Sequence, residues 1–190
     1  QYEEAFQLAN TLMVDLPRIT DGKAHAQALR SIVQMLDVAG EPDQALKYAQ
    51  QLKLEDASPE NRCGNYQYKI NAISYSVTIS SEDPRLLRAI AVCLADNKMV
   101  FANTLLLSRS DLLNEEGHTD QAIALLKSIE PSIRRAGFQV HIADFGVTLA
   151  QAYVSKGNDA GARQAALAVV AASGPGNFTW PVQTAYELLY

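Results

Sequence analysis

No stretch of this 190-residue chain supplies the ~18–20 consecutive apolar residues that a membrane-crossing helix needs. The longest candidate, Ala160 to Ala172, is broken by Gly161, Arg163 and Gln164, so direct membrane insertion by this piece is not expected. Positive charge is equally thin. Sixteen Lys and Arg stand against 21 Asp and Glu, for a net charge of −5, and Arg134-Arg135 is the only adjacent basic pair. Nucleic acid is not expected as a partner, because phosphate binding needs clustered cations. The two cysteines form no CxxC motif, and no two of the three histidines (His25, His118, His141) have the i, i+4 spacing that would place them on one helical face. No metal is expected, and the histidines read as surface or rim residues. There is no GxSxG elbow, no phosphate loop and no dinucleotide fingerprint. Gly174-Pro-Gly176 lacks the lysine and hydroxyl that grip phosphate and reads as a connector. No cofactor is implied. Glu3-Glu4 and Glu115-Glu116 read as solvated helix ends or faces, and no acid–base or nucleophile cluster supports an enzyme. Alternating strand patterns are missing as well.

What is present is apolar surface in helical spacing: 48% of residues are apolar and only 19% charged, enough for a sizeable core and unlike a disordered chain. One phrase recurs, as Gly40-Glu-Pro-Asp-Gln-Ala45, Gly117-His-Thr-Asp-Gln-Ala122 and Gly157-Asn-Asp-Ala-Gly-Ala162. Each glycine ends one amphipathic helix, and each alanine lies a turn into the next. The glycines are 77 and 40 residues apart, which predicts a degenerate turn near 79–83, just before Pro84. The pattern predicts an all-α chain of nine or ten helices, arranged as a right-handed α-solenoid of antiparallel hairpins and forming a single domain over 1–190. The absence of an initiator Met and the stop at Tyr190 inside a helical pattern suggest a piece of a longer protein.

Helices are expected over Tyr2–Leu16, Gly22–Ala39 with Asp21 as N-cap, and Pro42–Leu54. The next run from Pro59 to about Val77 behind Ser58, then Pro84–Ala95, Asn97–Glu116 and Thr119–Ala136. Pro131 is expected to kink that last helix or end it early. Phe138–Lys156 and Asp159–Ser173 follow, and after a break at Gly174–Asn177 a final helix starts at Thr179 or Pro181. Tyr75, Phe145 and Trp180 read as packing residues.

Within Leu149–Ala162 the order small residue, aromatic, glycine, alanine resembles a tetratricopeptide repeat, with Ala150 and Ala162 at the close-packed positions and Tyr153 on the first helix. Ser110, Leu113, Gly117 and Ala122 match the same places, as do Gly40 and Ala45, with Val33 where a smaller residue is usual. The period of 38 to 40 exceeds the usual ~34, so the repeats are lengthened. Tyr68-Lys-Ile-Asn-Ala72, Arg88–Cys93, Phe101-Ala-Asn103 and Leu112–Gly117 are together similar to repeat-containing sensory regions of bacterial membrane proteins that carry a diguanylate cyclase (GGDEF) or histidine kinase output. That resemblance implies a non-enzymatic periplasmic sensor or scaffold. The cytoplasmic repeats of MalT-like transcriptional activators are the alternative.

The resemblance also implies a concave binding face along the leading helix of each pair. Its candidates are Gln27, Arg30 and Gln34, then Tyr66, Lys69 and Ile73, then Thr104 and Asp111, then Asp144 and Gln151. Such a face would hold a protein, a peptide or a small molecule, and exposed apolar surface at either end would favour a homodimer. Cys63 and Cys93 fall at the open ends of one hairpin. An oxidising compartment would favour a bridge between them, and the alternative is two buried thiols.

Overall fold

The computed structural model describes residues 2–54, 58–173 and 180–189. Among the described residues the chain is all-helical, with ten α-helices, one 3₁₀ turn and no strand. The helices are α1 (Tyr2–Asp15), α2 (Gly22–Ala39), α3 (Pro42–Ala49), α4 (Pro59–Ser76) and α5 (Pro84–Ala95), followed by α6 (Met99–Glu115), α7 (Thr119–Ala136), α8 (Gln139–Ser155), α9 (Asp159–Ser173) and α10 (Trp180–Glu187). The connector expected at Gly174–Asn177, the helix start at Thr179, and the Tyr75 and Trp180 side chains lie outside the described residues.

The starts and stops follow local chemistry. Asp21 Oδ1 accepts the Ala24 amide at 2.7 Å and Ser58 Oγ the Asn61 amide at 3.5 Å, each satisfying a donor that the first helical turn leaves free. The glycines of the recurring phrase all have positive φ, at 78° (Gly40), 81° (Gly117) and 72° (Gly157). The next amide in each case closes a six-residue ring onto the preceding helix, from Glu41 to the Leu36 carbonyl at 2.9 Å, from His118 to Leu113 at 2.8 Å and from Asn158 to Tyr153 at 2.8 Å. Five residues after each glycine stands a buried alanine, Ala45, Ala122 or Ala162.

The structure contains a fourth instance of this turn. Asn97 has φ 54°, the Lys98 amide bonds the Cys93 carbonyl at 2.8 Å, and Ala102, five residues on, is fully buried. Asn97 therefore ends α5 rather than starting α6, asparagine being the residue other than glycine that most readily takes this backbone. Counting Gly137 (φ 72°), positive-φ residues fall at 97, 117, 137 and 157, one every 20 residues. The expected degenerate turn at 79–83 has no such residue, because α4 and α5 are joined by a longer segment, 77–83.

Two expected boundaries move. α3 stops at Ala49 rather than Leu54, where a turn sends Leu52 into the core and leaves the Lys53 carbonyl to accept Asn65 Nδ2 at 2.7 Å. Tertiary burial overrides helical periodicity there. α7 continues through Pro131 to Ala136. Proline costs about 3 kcal/mol inside a helix, but it sits on the exposed side while Leu126, Ile129 and Ile133 are buried on the other. Each such side chain contributes roughly 1.5–3 kcal/mol on burial, and Ile133 would be lost if the helix ended early.

The chain divides into two compact units, residues 1–79 with 84–101, and residues 80–83 with 102–190. In the first, α1 packs on α2, α2 on α3 and α4, α3 on α4 and α4 on α5. Its core holds Ala28, Leu29, Ile32, Val33 and Leu36 of α2 against Ala45, Ala49, Leu52 and Ala72. Cys63 and Cys93, both fully buried, join α4 to α5 as a disulfide with a Cα–Cα distance of 5.4 Å. The Arg62–Asp96 ion pair lies near the same ends.

In the second unit α7 packs on α8, α8 on α9 and α10, and α9 on α10. Gly146 permits the closest α8–α9 approach, since a Cβ there would fall 2.3 Å from Val169 Cγ2. Phe145 is buried in this unit. Segment 80–83 is clamped by side chains of α6: Glu116, just past its end, accepts the Ser81 amide at 2.7 Å and the Ser81 hydroxyl, and Arg109 donates to the Ser81 carbonyl at 3.1 Å and pairs with Glu82. These bonds hold the Glu116 carboxyl below its usual range. Glu116 is thus a loop anchor and not simply a solvated helix end.

Candidate functional site

The residues before α2, α4, α6 and α8 are Asp21, Ser58, Lys98 and Phe138, and positions can be counted from them. Gln27, Thr104 and Asp144 then all stand at the sixth place, Arg30 at the ninth, and Gln34, Asp111 and Gln151 at the thirteenth. These spacings of three and four keep the residues on one helical stripe. Tyr66, Lys69 and Ile73 of α4 stand at the eighth, eleventh and fifteenth places. They are two residues out of step, about 200° around a helix of 3.6 residues per turn.

The structure shows the effect of that slip. Tyr66 and Ile73 are buried and Lys69 half-buried, and together they line a separate small cavity of about 170 Å³. The residues of α4 that border the α2 stripe are Asn61, Gly64, Asn65 and Tyr68, none of them among the sequence candidates. Asn61 and Gly64 stand three and six places after Ser58, as Ala24 and Gln27 do after Asp21, and that count was the signal available for finding them.

In the first unit these positions surround a cavity of about 630 Å³. Asp21, Lys23, Ala24, Gln27 and Arg30 come from α2 and its cap, Ser58, Glu60, Asn61, Gly64 and Tyr68 from α4 and its cap, and Phe101 from the start of α6. Arg30 is only 8% exposed. Its guanidinium donates to Asn65 Oδ1 at 2.8 Å, Gln27 Oε1 at 2.7 Å and Asn61 Oδ1 at 3.4 Å. Asn65 is fully buried, and its Nδ2 is spent on the Lys53 carbonyl, which fixes its oxygen toward Arg30. Tyr68 Oη reaches Gln34 Oε1 at 3.4 Å as a separate pair, so of the sequence candidates Gln27 and Arg30 share one hydrogen-bonded group and Gln34 has its own contact with α4. Asp37, one turn beyond Gln34, has a buried carboxyl oxygen without a partner, and desolvation pushes its pKa up to about 6.

In the second unit the same stripe is acidic. Asp111 of α6 takes a hydrogen bond from Thr148 of α8, with Glu115 and Asp144 close enough to repel its charge. Burial, chiefly, raises the Asp111 pKa to about 7, and burial alone raises that of Asp144 to about 6. Thr104 and Gln151 are half-buried on the same two helices, with Asn114 Nδ2 to Ser155 Oγ at 3.0 Å beyond them. His141, whose ring lies 5.7 Å from that of Phe138, has its pKa lowered by burial.

Among the described residues no three His, Cys, Asp or Glu are grouped so that they could hold a metal ion, and no helix is long and apolar enough to cross a membrane. The first unit thus offers a wide polar cavity beside a buried cation, and the second a pair of half-buried acids whose pKa values desolvation raises. No protein-family model, curated protein or solved structure matches this chain.

Proposed function

We propose that this chain is a non-enzymatic binding module, a tetratricopeptide-like solenoid that receives a small ligand or an extended peptide along the stripe of its leading helices. The observation that carries the reading is the 630 Å³ cavity lined by matching positions of α2 and α4, which is within the size range of small-molecule sites. Repetition supports it too: within the second unit the same places on α6 and α8 carry partly buried polar groups, as expected of repeated structural units. The parent we propose is a bacterial signalling protein with this module as its periplasmic input. The Cys63–Cys93 bridge supports that address, because disulfides persist in oxidising compartments.

Two-dimensional NMR of the isotope-labelled chain, screened against fragments and short peptides, tests the binding reading. Shifts concentrated on Gln27, Gln34, Gly64 and Tyr68 are the expected result. Shifts scattered over residues off the stripe, or turnover that depends on a stripe residue, would overturn it. Thiol trapping after export to a bacterial periplasm tests the address, with Cys63 and Cys93 expected to be blocked and free thiols counting against it.

A further inference from the structure

Arg30 is a buried cation that no carboxylate pairs with among the described residues. Arginine does not lose its proton in proteins, and burying a charge without a counter-ion is costly. Four of the more exposed arginines share their charge with carboxylates: Arg18 pairs with Asp15, Arg62 with Asp96, Arg109 with Glu82 and Arg134 with Glu130. Arg30, the buried one, has only amide oxygens for partners and forms no ion pair among the described residues. A structural cross-link between α2 and α4 could use neutral partners on both sides. A guanidinium kept there, held by a pre-oriented asparagine and bordering an open cavity, is a receptor for an anion that arrives from outside.

The cavity walls narrow the anion. Its charged lining residues are Arg30 and Lys23 against Asp21 and Glu60, with Lys98 3.6 Å from Glu60, so the lining itself is close to neutral. A doubly charged phosphate would meet two acids for its one buried cation, whereas a carboxylate monoanion matches the guanidinium in charge and in planar geometry. Phe101 and Tyr68 supply an aromatic wall. Gly64 keeps space open beside the guanidinium: a Cβ there would stand 3.6 Å from both Arg30 Nη1 and Phe101 Cε1.

We infer that this cavity binds a small organic monocarboxylate, its carboxylate on Arg30 and its apolar or aromatic body against Phe101 and Tyr68. The inference rests on the binding-module reading and specifies the ligand class of its first unit. Phenylacetate is the probe, titrated into the full chain by NMR and calorimetry beside benzyl alcohol and inorganic phosphate. Phenylacetate is expected to shift the Gly64 amide and the Arg30 guanidinium signals and to bind at least about tenfold more tightly than either control. Arg30→Gln should remove that preference. Gly64→Leu should fill the space beside Arg30 while leaving the cation in place, and it carries the test if Arg30→Gln does not fold. Phosphate binding as tightly as phenylacetate, affinity unchanged in the folded variants, or no shift at Gly64 with millimolar phenylacetate would overturn the inference. If benzyl alcohol binds equally well at Gly64 and Tyr68, the carboxylate chemistry fails while the module remains a binding domain.

Discussion

The two units place polar groups on the same helical stripe and resolve the cost of burying them in opposite ways. In the first, Arg30 keeps its charge and is surrounded by amide oxygens. In the second, Asp111 is pushed to a pKa of about 7 and so can shed its charge by taking up a proton. The difference lies in the side chains: a carboxylic acid can become neutral near pH 7 in a low-dielectric setting, and a guanidinium cannot. Burial of an acid therefore yields a pH-dependent element, and burial of an arginine yields a standing demand for dipoles or an anion.

The comparison breaks most strongly at the covalent bond. Bridging Cys63 and Cys93 closes a loop of 30 residues, which by chain entropy stabilises by about 3–4 kcal/mol. Cys63→Ala with Cys93→Ala should lower the unfolding free energy of the first unit, read from its denaturant midpoint and slope, by that amount and leave α7–α9 protection from hydrogen exchange unchanged.

Asp111 gives the next effect. Its folded pKa of about 7 lies above the ordinary 3.8, so between these values the folded state binds more protons than the unfolded one. Stability of the second unit therefore falls as pH rises from about 4 to about 7, by a few kcal/mol at most at 1.36 kcal/mol per unit shift. Asp111→Asn should flatten that slope and raise stability at pH 8, as read by hydrogen exchange or urea melts across pH. A slope that survives the substitution would place the proton elsewhere, with Asp144 the next candidate.

Gly146→Ala should cost about 1–3 kcal/mol, because the new methyl must displace Val169 at the α8–α9 crossing. The first unit should be untouched. The smallest change, Gly117→Ala, forces a β-carbon onto a φ of 81° with open space around it, and should cost about 1 kcal/mol through backbone strain alone. Setting it beside Gly146→Ala separates strain from crowding within one unit.

Helices were legible in this sequence wherever the chemistry of starts and stops is local. Asp21, Ser58-Pro59 and Pro84 open helices as read, and Gly40, Gly117 and Gly157 close them. Where tertiary burial decided, periodicity misled: Leu52 is drawn inward and ends α3, and Ile133 holds α7 together past Pro131. The turn at Asn97 escapes a glycine-based pattern because it has asparagine where the other copies have glycine.

The stripe on α2, α6 and α8 was found because glycine-anchored turns fix its register. α4 has no such marker, and the expected positions Tyr66, Lys69 and Ile73 fall two residues out of step. Asn65 and Thr148 could not be singled out in advance. Their importance lies in which side chain they meet, Arg30 or Asp111, and a lone polar residue on a helix does not announce its partner.

Segment 80–83 has a practical consequence for dissecting the protein. It is encoded between α4 and α5 of the first unit, yet Glu116 and Arg109 hold it in the second. A fragment starting at residue 102 would leave those two side chains without Ser81 and Glu82, and one ending at 101 would carry a length of chain made to fit elsewhere. No single cut yields two intact halves, so any shortened version of this chain should keep both units or graft the four residues onto the second.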